Sequence, residues 1–469
     1  MTSRTTVADP FADSPQLAKF RDLTRPQLEA LQLFKVQRQV ERLEATSPYY
    51  ARRMAEAGLK AAGVTSLEVF AERFPTSDKA DFMADQQQYP PFGGRLGIRR
   101  DQVALINMTG GTSGQGQEMY GRSQRDVHLL GYLHALPWYM GGLRPGDTVM
   151  NCVPAGGMTT GGWGPGEGIR IIGATAFHVG GGMSTDAKID LMLKVGGVHF
   201  IYASTNYLHT LTEALLSRGV TPRDAFPGMH GLFIAAEGYP LEWAERIEEH
   251  WGCRLQEGYG STQCNGFGGS TGSAGVFGQN GARGLISLFE WETMFEIIDP
   301  ETHLPTVSGE VGELVATNLS VEGSPVIRFR TGDAARYVSW EDSGTGAVWK
   351  TIEAGSIGRF DDMMKIRGNN VWPTAIDAAV FSHNEVGDYA GRVYTDGGKT
   401  EISMRLAFAD HASGLNAGER KAVIASVRAA IKERTNIYID ITECVRSELP
   451  EFAYKARRWK DERQDGYRL

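Results

Sequence analysis

Six short apolar runs punctuate the chain between residues 103 and 260: VALINM, DTVMNCVP, ATAFHV, VHFIYAS, MHGLFIAAE and CRLQEGYG. Helix-like stretches, 124–142 and 205–219 among them, lie between these runs. Strand-sized apolar runs alternating with helices leave few folds open. They predict parallel α/β units, with ligand loops gathered at the strand ends. A second pattern follows in MFEIID, GELVAT, VIRFRTGD, AARYVSW and AVWKTI, separated by turn residues. These predict a small antiparallel, barrel-like sheet. Ahead of both, Thr24 and Pro26 offer a helix start, and Leu33, Val36, Val40 and Leu43 recur at helical spacing, so 26–45 is read as a helix. SPYYARRMAEAG starts another helix after Pro48. From about residue 361 a smaller α+β unit is expected, built from TEISMRLAFA, a helix with Val423, Val427 and Ile431 on one face, and IYIDITECV. With 469 residues there is room for two domains, read as 1–360 and a lid over 361–469.

Composition narrows the function. The net charge of −8 gives no global pull toward nucleic acid or an anionic membrane. No run of about 18 uninterrupted apolar residues is present, so no membrane span is expected. The start, MTSRTTVADPFADSPQ, has no apolar signal core. Four cysteines, none in a C-x-x-C pair, fit a reducing cytoplasm better than a disulfide framework. Cys253 and Cys264 lack metal-ligand spacing and read as small buried residues. The 58 glycines exceed a usual share of about 7% and cluster at 93–116, 141–182 and 258–284, so they read as site loops.

The most informative cluster is NMTGGTSGQGQ. Its glycines let backbone amides turn toward an anion, and Thr109, Thr112 and Ser113 add hydroxyl donors. It lacks the G-K-[ST] ending of a Walker loop and the spacing of a dinucleotide fold. Alone, it fits a plain loop equally well. EGYGSTQ, at 257–263, puts an aromatic ring, a glycine and two hydroxyls at the end of a predicted strand. FRTGD, at 329–333, places an aspartate past a tight turn, where it suits a pair of ribose hydroxyls. GRFDDMMKIRGNNVWP, at 358–373, supplies an arginine, a hinge and a glycine turn, and Lys455 follows LPEFAY.

These five elements, in this order, resemble the adenylate-forming superfamily of acyl-CoA ligases, adenylation domains and luciferases, and within it the phenylacetate–CoA ligase branch. SPYYARRMAEAG, ERFPTSDKADFMADQQQYPPFG and GGMTTGGWGPGEGIRIIGATAFHVGGG also look like that branch. The resemblance runs from about 28 to 463. It implies an enzyme that joins an aromatic acid to AMP and then to a thiol, most simply coenzyme A, using ATP and Mg2+. Thr109, Gly110, Gly111, Thr112, Ser113 and Gly114 would grip the β- and γ-phosphates. Tyr259 would lie against adenine, with Ala236, Glu237 and Gly238 along the base edge and Gly260 beside it. Thr262 would touch the α-phosphate. Asp333 would take the ribose hydroxyls with help from Arg359. Asp361 would be the hinge, Gly368 would line the thiol channel, and Lys455 would be the catalytic lysine. Met158, Trp163, Phe177, Tyr202, Tyr207 and Leu208 are candidate walls for a flat apolar acid.

The chain departs from the family pattern at three places. The phosphate loop has no lysine, so its grip would rest on amides and hydroxyls. Tyr454 replaces the usual glycine before Lys455. Gln263 stands where the family has a glutamate that helps hold Mg2+, and an amide oxygen is a neutral, weaker ligand for so hard an ion. Three alternatives stay open: transfer to a carrier-protein thiol, adenylation of nitrite in a diazotisation, and nucleotide binding without turnover. A homodimer is compatible with all of them.

Overall fold

The computed structural model describes residues 15–109, 117–155, 158–235, 238–360, 364–366, 369–396, 399–450 and 458–463. The chain divides into two compact units. The first comprises Met1–Ala203, Phe226–Ala236 and Cys253–Ile357; the second comprises Ser204–Ala225, Glu237–Gly252 and Gly358–Leu469.

In the first unit, β3 (Thr148–Asn151), β4 (Thr175–His178), β5 (Phe200–Ala203), β6 (Gly231–Ala235) and β7 (Arg254–Ser261) form the parallel ladder, in the order β4-β3-β5-β6-β7. Each matches one of the apolar runs. β5 is buried at every position, as expected of a parallel strand covered on both faces. VALINM behaves differently. Its strand, β1 (Leu105–Met108), leaves the parallel ladder and pairs antiparallel with β2 (Met119–Arg122).

Antiparallel strands continue the ladder beyond β7. They are β8 (Gly266–Ser270), β9 (Leu285–Leu288), β10 (Thr293–Ile298), β11 (Val311–Asn318), β12 (Phe329–Val338) and β13 (Thr351–Glu353), in the order β7-β8-β9-β13-β12-β11-β10. The runs VIRFRTGD and AARYVSW, read as separate, share the single strand β12. The core beneath gathers Trp138, Phe200, Tyr202, Phe233, Phe267 and Trp291.

The glycines near 160–170 are not loop residues. They lie in a helix, Thr160–Ile172, packed on the helix Gln124–Met140. A Cβ on Gly164 would come within 2.2 Å of the His134 ring, and one on Gly168 within 2.6 Å of the His134 backbone. The glycines are what let the two helices approach so closely.

The expected N-terminal helices are present as Arg25–Thr46 and Pro48–Glu56. Gln27 Oε1 accepts the Thr24 amide at 2.8 Å, and Ser47 Oγ accepts the Tyr50 amide at 3.3 Å.

The second unit holds the helices Thr205–Ser217 and Leu241–Trp251 and a short strand, β14 (Gly358–Arg359). A hairpin follows, β15 (Met364–Ile366) and β16 (Asn369–Val371). Its four-stranded sheet has the order β19-β18-β17-β20, from β17 (Val386–Asp396), β18 (Lys399–Phe408), β19 (Asp440–Glu443) and β20 (Trp459–Asp461). Val427 and Ile431 of the helix Ala417–Thr435 are buried in its core, with Val423 packed against them. Among the described residues, no helix is long and apolar enough to cross a membrane.

Candidate active site

The carboxyl end of β7 carries Tyr259, Gly260 and Ser261, where an α/β sheet presents its ligand loops. The β7–β8 register shifts between Tyr259 and Gly260. At Gly260 a Cβ would sit 2.7 Å from the Gly266 carbonyl oxygen, so no other residue fits without backbone movement.

Tyr259 is buried, and its hydroxyl donates to Asp333 Oδ2 at 3.0 Å, which brings the EGYGST and FRTGD segments together. Burial, reinforced by the negative Asp333, holds the phenol well above its usual range, so it remains a donor. Asp333 is fixed from below. Its amide donates to Thr331 Oγ1 at 3.0 Å, and that hydroxyl donates to the Leu314 carbonyl at 2.7 Å. The turn needs Gly332, whose φ is 71°. Asp333 itself is half-buried.

A second cluster closes the glycine run. Thr109 and Glu118 face each other across it: the Thr109 amide donates to the Glu118 carbonyl, and the Glu118 amide donates to Thr109 Oγ1, both at 3.0 Å. The Glu118 side chain is 1% exposed. Its Oε1 accepts the Tyr120 hydroxyl at 2.8 Å, and its Oε2 accepts Gln263 Nε2 at 3.1 Å. Arg122 Nη2 donates to the Thr262 carbonyl, joining β2 to the turn after β7. Burial and the Glu118 charge hold the Tyr120 phenol well above its usual range.

The remaining expected residues distribute as follows. Gly110, Gly111, Thr112, Ser113, Gly114, Ala236, Glu237, Asp361, Gly368 and Lys455 lie outside the described residues. Gly238 and Arg359 belong to the second unit and are half-buried. Met158 and Trp163 are 43% and 38% exposed, and Phe177 is half-buried. The Met158 carbonyl accepts the Met108 amide at 2.8 Å and Asn107 Nδ2 at 3.3 Å, which ties this segment to β1. Tyr202 is 2% exposed and packs in the core, with ring centroids 5.7 Å from both Trp138 and Phe233. Tyr207 is half-buried and Leu208 buried, both in the second unit. Glu118, Tyr120 and Arg122 are the residues that motif reading missed. Their one visible signal is an acid placed just past the glycine run.

Among the described residues, no group of three or more His, Cys, Asp or Glu side chains is placed so that it could hold a metal ion. A cation here would take most of its ligands from nucleotide phosphates, as Mg2+ commonly does. Gln263 and Glu118 fit that situation as an oxygen donor and a nearby negative charge.

Comparison with known proteins gives the family and the fold. The family model for AMP-binding enzymes matches residues 46–322. A phenylacetate-coenzyme A ligase of Thermus thermophilus is 30% identical over 367 residues, 78% of this chain and 77% of that protein. One from Pseudomonas putida is 29% identical, over 88% of this chain and 92% of that protein. In fold, 2-hydroxyisobutyryl-CoA ligase in complex with 2-HIB-AMP superposes with a TM-score of 0.84 at 22% identity, covering 95% of this chain and 92% of that one. The chain belongs to the AMP-binding enzyme family, in its phenylacetate–CoA ligase-like branch.

Proposed function

We propose that this protein is an AMP-forming ligase that joins an aromatic carboxylic acid to coenzyme A. The observation that carries the reading is the Tyr259–Asp333 hydrogen bond, which joins the EGYGST and FRTGD segments at the carboxyl end of β7. Phenylacetate-coenzyme A ligases among the relatives support the aromatic acid and the CoA acceptor.

A carboxylate oxygen attacks the α-phosphorus of ATP, the bond to the β-phosphate breaks, and pyrophosphate leaves. The CoA sulfur then attacks the acyl carbonyl and AMP departs. The nucleophile of the first step is already ionised, so positioning and charge stabilisation do the catalysis. Asp333, with Arg359, takes the ribose hydroxyls; Tyr259 and Gly260 border the base with Ala236, Glu237 and Gly238. Thr109 through Gly114 hold the outer phosphates by amides and hydroxyls, and Thr262 meets the α-phosphate. Gln263 would hold Mg2+ through its amide oxygen, and the ion when bound would neutralise phosphate charge. Met158, Trp163, Phe177 and Tyr207 are proposed to serve the acid, while Tyr202 is packed in the core. Lys455 stabilises the adenylation transition state, residues 361–469 act as a lid turning at Asp361, and Gly368 lines the thiol path. The small number of cysteines, none in a C-x-x-C pair, suits a reducing cytoplasm.

ATP–pyrophosphate exchange with benzoates, arylacetates, cinnamates and nitrite tests this. Exchange with an aryl acid, followed by CoA consumption, is expected. Exchange with nitrite alone, or with nothing while AMP still binds, overturns it. Lys455→Ala is expected to cripple exchange yet spare thioester formation from supplied acyl-AMP. Equal loss in both half-reactions removes Lys455 from the adenylation step.

A further inference from the structure

We propose that Glu118 and Gln263 work as a pair that divides the metal corner's duties: Glu118 provides the negative charge and orients Gln263, whose amide oxygen faces the cation. The inference rests on the proposed use of MgATP and concerns how this chain manages without a glutamate at 263.

An amide presents either oxygen or nitrogen, and which one faces a neighbour follows from that neighbour's chemistry. An ionised carboxylate only accepts. Glu118 Oε2, 3.1 Å from Gln263 Nε2, therefore selects the NH2 end and turns the Gln263 oxygen away from itself. Glu118 cannot swing aside. It is 1% exposed, its other oxygen holds the Tyr120 hydroxyl at 2.8 Å, and its backbone is locked to Thr109 in both directions.

The simplest structural alternative makes Glu118 a counter-ion for the buried arginines nearby. Their contacts argue against it. The Arg95 and Arg122 guanidiniums lie 4.9 and 5.0 Å from the Tyr120 ring centroid; the hydrogen bonds they make go to backbone, none goes to Glu118, and among the described residues Arg95 Nε and Nη1 and Arg122 Nε have no hydrogen-bond partner. Arg95 donates to the Met119 carbonyl, and Arg122 donates to the Ser324 and Thr262 carbonyls. Among the described residues, none forms an ion pair with Glu118. The two Glu118 oxygens are committed to the Tyr120 hydroxyl and to Gln263 Nε2, so its contact toward the corner is the one that orients Gln263. With glutamine at 263 and glutamate at 118, the pair carries the same single negative charge as a lone glutamate at 263. Glu118 is thus a positioning residue, acting through Gln263.

The test reads metal affinity instead of turnover. Water-proton relaxation measures Mn2+ binding in the ternary complex with α,β-methylene-ATP, whose scissile bridge cannot be cleaved. Isothermal titration of metal-free AMP reports the nucleoside corner separately. Glu118→Gln is expected to weaken Mn2+ about 10-fold or more, the range seen when a ligand loses its orienting partner, while AMP affinity holds. Gln263→Glu is expected to weaken it too, because two carboxylates then meet at hydrogen-bond distance. The double variant Glu118→Gln/Gln263→Glu exchanges charge and amide between the two positions and is expected to bring Mn2+ affinity back toward wild type. A Glu118→Gln variant with wild-type Mn2+ affinity, or a double variant as weak as Glu118→Gln alone, overturns the pair. Wild-type protein that binds no nucleotide would instead strike at the proposed function.

Discussion

Tyr259 and Tyr120 each donate a phenolic hydrogen bond to a carboxylate, at 3.0 Å to Asp333 and 2.8 Å to Glu118. The device is the same and the result differs. Asp333 is half-buried on a turn that Gly332 makes possible, so it can take a ligand itself. Glu118 is sealed at 1% exposure, and its outward contact is another side chain, Gln263. A buried tyrosine can therefore aim an acid at a ligand directly, or fix it as a support for a neutral group that meets the ligand. In the proposed site, the nucleoside corner at Asp333 would use the first arrangement and the phosphate corner at Glu118 the second.

The contrast breaks most visibly at the acids. Asp333→Ala is expected to weaken AMP binding about 100-fold, since it removes charge-assisted hydrogen bonds. Glu118→Gln should leave AMP affinity within about 2-fold. Similar losses in both variants, measured by isothermal titration, would merge the two corners into one.

Acid separates both corners from the scaffold beneath them. His134 is fully buried, with Nδ1 2.9 Å from the Leu130 carbonyl oxygen, and burial pushes its pKa from 6.5 down to about 4. Below about pH 6.5 the unfolded chain takes up a proton that the folded chain refuses. Stability is therefore complete above that pH and falls as pH drops toward 4, by up to about 1.4 kcal/mol per unit. Urea unfolding at pH 7.5 and 5 should show this fall in wild type and a shallower one in His134→Gln. Equal slopes would remove His134 as the cause.

The tyrosines give the smallest and sharpest effects. Tyr120→Phe leaves a buried carboxylate oxygen without its donor and should cost about 2 kcal/mol of stability. Tyr259→Phe, beside an acid that water can reach, should cost about 1 kcal/mol and weaken AMP binding about 5-fold. Thermal and urea unfolding with AMP titration check both, and the reverse order would contradict the distinction between sealed and open acids.

Sequence reading reached the two corners unequally, for a physical reason. Tyr259 and Asp333 each stand in a short string, GYGST and RTGD, whose glycine and hydroxyl neighbours advertise a turn beside a site. Glu118 and Tyr120 have no such local signature, and the Glu118–Gln263 pair forms only when the start of β2 and the turn after β7 come together across 145 residues. The central parallel strands β5 and β6 were legible because burial on both faces writes continuous apolar runs. VALINM has the same look, but the short return through Met119–Arg122 makes it half of a hairpin. The glycines of Thr160–Ile172 misled because a helix needing close approach to His134 uses the same residue as a flexible loop.

The most direct test of the account follows an oxygen atom. A single turnover with ATP, CoA and an aryl acid labelled with 18O in both carboxylate oxygens should yield AMP carrying one 18O atom. The attacking oxygen becomes the bridge of the acyl-adenylate and departs with AMP when sulfur attacks the carbonyl. AMP without label, in a reaction that still forms the thioester, would contradict adenylation of the acid and with it the proposed roles of both corners.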